Sequence, residues 1–174
     1  MARIAVDMDE VIADFNSKFI TSFNALGGRQ ISVEEMAGKA FYSLQPEMQE
    51  QVLAMIGAKG FFADLPVMPD SQDVLARMSK RHEIFITTAA MEFPACFNDK
   101  FAWLKEHFPF ISPMNVVFCG SKSILNADYL IDDNSRHFAD FCGEGILYSA
   151  PHNLYVEGYT RVRNWQDVAE MFLS

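Results

Sequence analysis

The sequence predicts an α/β fold: a doubly wound parallel sheet of Rossmann type, with a small helical cap inserted after its first strand. Three observations carry that prediction. Strand-like and helix-like segments alternate along most of the chain, without repeats or low-complexity linkers. The alternation lapses between about residues 31 and 69, where short helical pieces and aromatic pairs take its place. It then resumes after Pro66 and Pro69. The expected division is a core of residues 1–15 and 70–174 and a cap of residues 16–69.

The first strand is the apolar run Ile4-Ala5-Val6, which stops at Asp7-Met8-Asp9-Glu10. A run of this kind fits a strand buried on both faces. Phe15, Phe19, Ile20, Phe23 and Leu26 share one face of the helix that follows, which Gly27-Gly28 closes. In the cap, Val33-Glu34-Glu35-Met36 and Pro46-Glu47-Met48 open short helical pieces, and Phe41-Tyr42 and Phe61-Phe62 lie in or beside turns. Val74, Leu75 and Met78 mark a helix over 71–79, and Glu83 to Thr88 is a strand ending in hydroxyls. A helix over about 94–108 has Pro94 near its start, with Phe97, Phe101, Leu104 and Phe108 at helical spacing. Strands follow at Asn115 to Cys119, Tyr129 to Ile131 and Gly145 to Tyr148, and a closing helix runs from about Trp165 to Phe172.

At 174 residues the chain is one domain with an inserted subdomain, large enough to bury roughly 70% of its unfolded surface. Half of it is hydrophobic, with 16 Phe and 10 Met, so the core is ample and disorder is not expected. A formal charge of −9 argues against a nucleic-acid polymer as partner, since such a partner needs a basic face. Cys96, Cys119 and Cys142 lie far apart without a Cys-x-x-Cys pair, as expected of reduced thiols. No signal-peptide-like start and no window near the ~18 apolar residues of a membrane span are visible. The expectation is a protein of the cytoplasm with no membrane partner.

The pattern brings polar groups to consecutive strand ends: Asp7 and Asp9, then Thr88, then Lys122, then Asp132-Asp133. That edge is where open α/β sheets hold their ligands. Each group has a plainer explanation. Asp-x-Asp can be a solvated turn, Thr88 a cap, Lys122 a surface lysine and Asp-Asp-Asn-Ser an Asx turn. Together they suit phosphoryl transfer through an aspartyl phosphate. Asp7 would attack phosphorus, and Asp9 would protonate the leaving oxygen and later deprotonate water. Thr88 would donate to a phosphate oxygen, and Lys122 would balance charge across Asp7 and the phosphate. Oxygen-only ligands, with Asp133 completing the set, suit Mg²⁺ better than zinc.

With these residues the chain resembles the haloacid dehalogenase superfamily, whose four motifs match Asp7-x-Asp9, Thr88, Lys122 and Asp132-Asp133. More narrowly it is similar to the 5′(3′)-deoxyribonucleotidases. That similarity rests on Val6 to Phe15, Gly60-Phe61-Phe62, Lys100 to Leu104 and Ala127 to Asp133. It implies a phosphatase of deoxyribonucleoside monophosphates with Mg²⁺ held by Asp7, the Asp9 backbone carbonyl and Asp133, and with Asp132 in support. It also implies that the cap closes over the site, with Phe15 beneath the substrate and Phe41 and Tyr42 in the nucleoside slot, and it leaves homodimer formation open. The substrate set is then Phe15, Phe41, Tyr42, Thr88, Ala89 and Lys122. Glu10 stands where Gly commonly follows the second acid, Ala89 where Ser follows the motif Thr, and Asn134 where relatives carry Arg. These departures weaken the inference of phosphate position and nucleotide preference more than that of the chemistry.

Two alternatives stand beside this reading: the same chemistry on a sugar phosphate, and a non-enzymatic phosphoacceptor of receiver type, whose acceptor Asp lies mid-chain. His82, His107, His137 and His152 are scattered, three of them near element ends, and are expected to be solvated or capping. Trp103 and Trp165 are expected in the core.

Overall fold

A computed structural model describes residues 1–27, 29–40 and 43–174 of the chain. Six parallel strands form one sheet in the order β3-β2-β1-β4-β5-β6. They are β1 (Arg3–Asp7), β2 (Glu83–Thr88), β3 (Val116–Phe118), β4 (Tyr129–Asp132), β5 (Glu144–Tyr148) and β6 (Thr160–Val162). The helices are α1 (Phe15–Ala25), α2 (Gln49–Ile56), α3 (Ser71–Met78), α4 (Phe97–His107) and α5 (Trp165–Leu173). This is the doubly wound order, and it reverses direction between β1 and β4, which pair with Val6 opposite Ile131.

The two-residue period of the strands sorts their side chains into two cores. Ile4 and Val6 of β1, Ile131 of β4, and Ile146 and Tyr148 of β5 join the larger cluster, with α3 and α5 packed together. Ala5, Leu130 and Leu147 point the other way, against Phe138 and Phe141. Gly145 makes that second core possible, because a Cβ there would run into the Phe138 ring. Trp103 and Trp165 are both buried, as the sequence predicts, and their indole N–H groups donate at 2.8 Å to the Leu65 carbonyl and at 2.7 Å to the Val11 carbonyl. All three cysteines are unpaired.

Two local readings change. β6 is absent from the sequence prediction because Thr-Arg-Val is a three-residue edge strand with only Val162 buried. The predicted 94–108 helix begins as a 3₁₀ turn at Pro94–Cys96, and α4 buries Lys100, Trp103 and Leu104, whereas Phe97 and Phe101 are only half-buried. Its apolar face is therefore rotated from the predicted stripe, and Lys100 falls in the middle of the buried side.

Between β1 and α3 the chain forms α1, a 3₁₀ turn at Val33–Met36, and a second turn at Pro46–Met48 that leads into α2. Asp14 caps α1, accepting from the Ser17 N–H at 2.9 Å. The outgoing and returning chains run side by side. The Asp14 N–H donates to the Pro66 carbonyl at 2.8 Å and the Met68 N–H to the Ile12 carbonyl at 2.9 Å. Among the described residues no helix is long and apolar enough to cross a membrane.

Candidate active site

The reversal between β1 and β4 sets Asp7 and Asp132 at neighbouring strand ends. Lys122, in the 3₁₀ turn after β3, reaches between them; its Nζ donates to Asp7 Oδ1 and, at 2.5 Å, to Asp132 Oδ2. The lysine is 1% exposed. Burial pulls its ammonium toward the neutral form, but the Asp7 and Asp132 carboxylates outweigh that and push its pKa up. The Asp132 carboxylate also accepts from the Asn134 N–H at 2.9 Å through its other oxygen, so both of its oxygens are bonded.

One ammonium does not neutralise this cluster. Carboxylate oxygens of Asp7, Asp132 and Asp133 lie within 4.8 Å of one another. Burial raises the Asp7 pKa to about 7 despite Lys122, and burial together with Asp132 and Asp7 raises that of Asp133 well above its ordinary value. Three hard oxygen donors in a buried, acid-rich pocket fit a divalent cation such as Mg²⁺ and offer zinc neither sulfur nor a ring of imidazoles.

After Asp7 the chain turns tightly: the Met8 carbonyl accepts from the Ile12 and Ala13 N–H groups, at 3.0 and 2.9 Å, and the Glu10 N–H donates to the Ala13 carbonyl at 2.8 Å. The turn puts Glu10 at φ 60°, in the left-handed region, which explains why a glycine suits this position. The Glu10 side chain offsets the strain by accepting from the Asn16 N–H at 2.6 Å and from the Asn16 carboxamide at 2.5 Å. Burial raises its pKa to about 8, against the opposing hydrogen bond from the Asn16 backbone.

The Asp9 side chain meets a residue to which the sequence reading gave no role. Lys100 Nζ donates to Asp9 Oδ2 and to Thr88 Oγ1 at 2.9 Å, and lies 4.6 Å from the centroid of the Phe62 ring. Two acceptors and a ring face thus surround the buried ammonium. Because Thr88 Oγ1 accepts from Lys100, its own hydrogen is left to donate elsewhere. Asp9 Oδ1 is buried and has no hydrogen-bond partner among the described residues. The available signal for Lys100 was its spacing, four residues after Cys96 and four before Leu104, both buried.

A cavity of about 290 Å³ opens over these groups. Asp7, Asp9, Asp132, Asp133 and Lys100 line it together with Phe15, Met36, Leu53, Phe62 and Phe93. Ala89 and Asn134 also line it, whereas Thr88 and Lys122 are fully buried and are not among the lining residues. Phe41 and Tyr42 lie outside the described residues. The exposed part of the wall includes Lys39 and an ion pair of 2.8 Å between Arg136 and Glu92, which links the loops after β4 and β2. Two of the four histidines depart from expectation: His137 and His152 line the cavity, and His152 Nε2 lies 3.3 Å from the Asp133 carboxylate. For His152 the distance in sequence from the acids concealed this, since β5 must be laid down before residue 152 reaches residue 133.

Comparison with known proteins gives the chain a family and its fold several relatives. The family described as 5′ nucleotidase, deoxy (Pyrimidine), cytosolic type C protein matches residues 1–174. A Staphylococcus epidermidis protein named "Putative 5′(3′)-deoxyribonucleotidase" is 42% identical over 172 residues, covering 99% of this chain and 96% of its own. The 5′(3′)-deoxyribonucleotidase of Bacillus subtilis is 32% identical over 173 residues, covering 98% of each. In fold, the chain is similar to a haloacid dehalogenase-like protein of unknown function from Agrobacterium tumefaciens. The TM-score is 0.62 at 15% identity, with 99% of this chain and 98% of that one covered.

The acid surplus has a measurable consequence. Between about pH 4 and pH 8 the cation-free fold retains protons on Asp7 and Glu10 that the unfolded chain has released. Their contribution to stability is therefore complete below about pH 4 and is lost as pH rises through about 7 to 8. A divalent cation binds the ionised carboxylates, so the rise in unfolding midpoint caused by millimolar Mg²⁺ is expected to be larger at pH 8 than at pH 5. Scanning calorimetry with Mg²⁺ or with a chelator checks this; equal increments at the two pH values contradict it.

Proposed function

The chain belongs to the deoxy-type 5′ nucleotidase family that matches it from end to end, and from that premise we propose that it is a Mg²⁺-dependent phosphatase of deoxyribonucleoside monophosphates, working through an aspartyl phosphate on Asp7. The observation that carries the reading is the buried Lys122 between Asp7 and Asp132 at the sheet's switch point, beside a third carboxylate. A nucleoside leaving group is supported by the names of the relatives and by the apolar part of the cavity wall, where Phe15 and Phe62 lie.

In this reading Asp7, the Asp9 backbone carbonyl and Asp133 would hold Mg²⁺, which would supply the positive charge that offsets repulsion between Asp7 and the substrate phosphate. A carboxylate oxygen of Asp7 attacks phosphorus and the bond from phosphorus to the ester oxygen breaks. Asp9 gives that oxygen its proton, and the nucleoside leaves as an alcohol. The Asp9 carboxylate then takes a proton from water as the water oxygen attacks phosphorus, and the bond to Asp7 breaks to release inorganic phosphate. Both carboxylates are returned to their starting state. Lys122 orients Asp7 and stays cationic throughout. Lys100 orients Asp9 and Thr88 together and leaves the Thr88 hydroxyl a hydrogen to donate. Asp132 holds Lys122 from behind. Closure of the segment between α1 and α3 over the cavity would exclude water and strengthen every charge inside it.

A phosphate-release panel with Mg²⁺ tests the substrate class. Deoxyuridylate and thymidylate are expected to be turned over faster than a hexose phosphate, and equal or slower turnover removes the nucleotidase reading. Asp9→Asn is expected to lower kcat about 100-fold or more while leaving metal affinity near that of the unaltered protein. A loss of metal affinity as large as that of Asp133→Ala would show that the Asp9 carboxylate is itself a ligand.

A further inference from the structure

Residues 151–155, between β5 and β6, have no part in the chemistry above, yet they hold Asp133 at two points. The Asn153 carboxamide, 2% exposed, donates at 2.7 Å to the Asp133 backbone carbonyl and at 2.7 Å to that of Tyr148. Its oxygen accepts from the Ala150 N–H at 3.2 Å and from Arg161 at 2.9 Å. Both amide hydrogens and the oxygen are thus engaged, and the group cannot turn without breaking bonds.

His152 approaches the same residue. Its Nε2 lies 3.1 Å from the Asp133 carbonyl oxygen and 3.3 Å from carboxylate Oδ2. Both neighbours are acceptors, which assigns the hydrogen to Nε2 and makes the ring a donor.

The segment is itself fixed from two directions. Arg161 donates to the Asn153 and Val156 carbonyls at 3.1 and 2.6 Å. On the other side, the Pro151 carbonyl accepts from the Gly38 N–H at 2.9 Å, and the Tyr155 ring lies against Gly38, where a Cβ would overlap it. Gly38 has φ 68°. It lies two residues after Met36, which lines the cavity, so the support behind Asp133 is also the contact on which this part of the wall rests.

We propose that His152 and Asn153 are positioning residues for Asp133: both side chains donate to its backbone carbonyl, and the His152 ring, with Nε2 beside carboxylate Oδ2, confines the carboxylate so that the other oxygen turns toward the cation. The inference rests on the reading of Asp133 as a metal ligand. Hydrogen bonds of this kind, one step removed from the metal, typically contribute 10- to 100-fold in metal affinity.

Calorimetric titration of the full chain with Mn²⁺, in the absence of substrate, tests it. His152→Ala is expected to weaken Mn²⁺ binding about tenfold. His152→Gln, whose amide N–H donates from a similar distance, is expected to restore affinity to within about threefold of the unaltered protein. Asp133→Asn serves as the reference for loss of the ligand itself. If Asp133→Asn loses binding while His152→Ala stays within about twofold of the unaltered protein, the positioning role is overturned. It is likewise overturned if His152→Gln is as weak as His152→Ala, because the imidazole then acts only by filling space. Normal Mn²⁺ binding by Asp133→Asn would instead overturn the metal-ligand reading on which the inference stands. Because glutamine keeps much of the volume of the ring, that variant keeps the test decisive where alanine perturbs folding.

Discussion

The Lys122 ammonium, buried between Asp7 and Asp132, is the interaction around which the rest of the structure is arranged. It ties the ends of β1 and β4 to the turn after β3, at the place where the sheet's strand order reverses. Such a pair is a poor source of net stability, because the cost of desolvating the ions offsets much of their attraction. Apolar residues would fill the same space at less cost. Removing one partner is another matter, since it leaves an uncompensated charge and costs about 3–5 kcal/mol. Its value to the protein is therefore positional: it keeps Asp7 oriented, while among the described residues Asp133 has no salt bridge to a lysine, an imbalance that a divalent cation would offset.

The loop after β1 solves a second problem, which is how to turn the chain from Asp9 into α1 within a few residues. It does so with a left-handed residue, and Glu10 takes the place of a glycine by reaching to the first turn of α1. Lys100 completes the arrangement from α4, giving Asp9 a cationic partner just as Lys122 gives one to Asp7. Two lysines on separate elements thus each pair with one of the two acids of a single short motif. The loop also neighbours both crossings of the inserted segment, at Asp14–Pro66 and Ile12–Met68.

Much of this was legible in the sequence because the signals are local. Ile4-Ala5-Val6 and Tyr129-Leu130-Ile131 are buried strands flanked by acids, and strand ends of a parallel sheet share one edge whatever their distance in sequence. The missing parts are those set by packing. Lys100 was hidden by helix phase, because the stripe Phe97, Phe101, Leu104 and Phe108 leaves out Lys100 and Trp103, which α4 buries beside Leu104. β6 was hidden by its length. His152 and Asn153 were hidden because their partner lies about twenty residues away and the meeting depends on β5 and on the loop after it. Phe41 and Tyr42, expected in the nucleoside slot, fall outside the described residues.

The central claim is that Asp7 becomes covalently phosphorylated during turnover, and the most direct measurement is to catch that species. The protein is mixed with Mg²⁺ and a deoxyribonucleoside monophosphate carrying radiolabelled phosphate, quenched in acid within milliseconds, and mapped by peptide mass spectrometry. The account predicts an acyl phosphate, labile to hydroxylamine, on the peptide that contains Asp7. Rapid turnover with no phosphoprotein at any quench time, or label on a peptide that lacks Asp7, would contradict it.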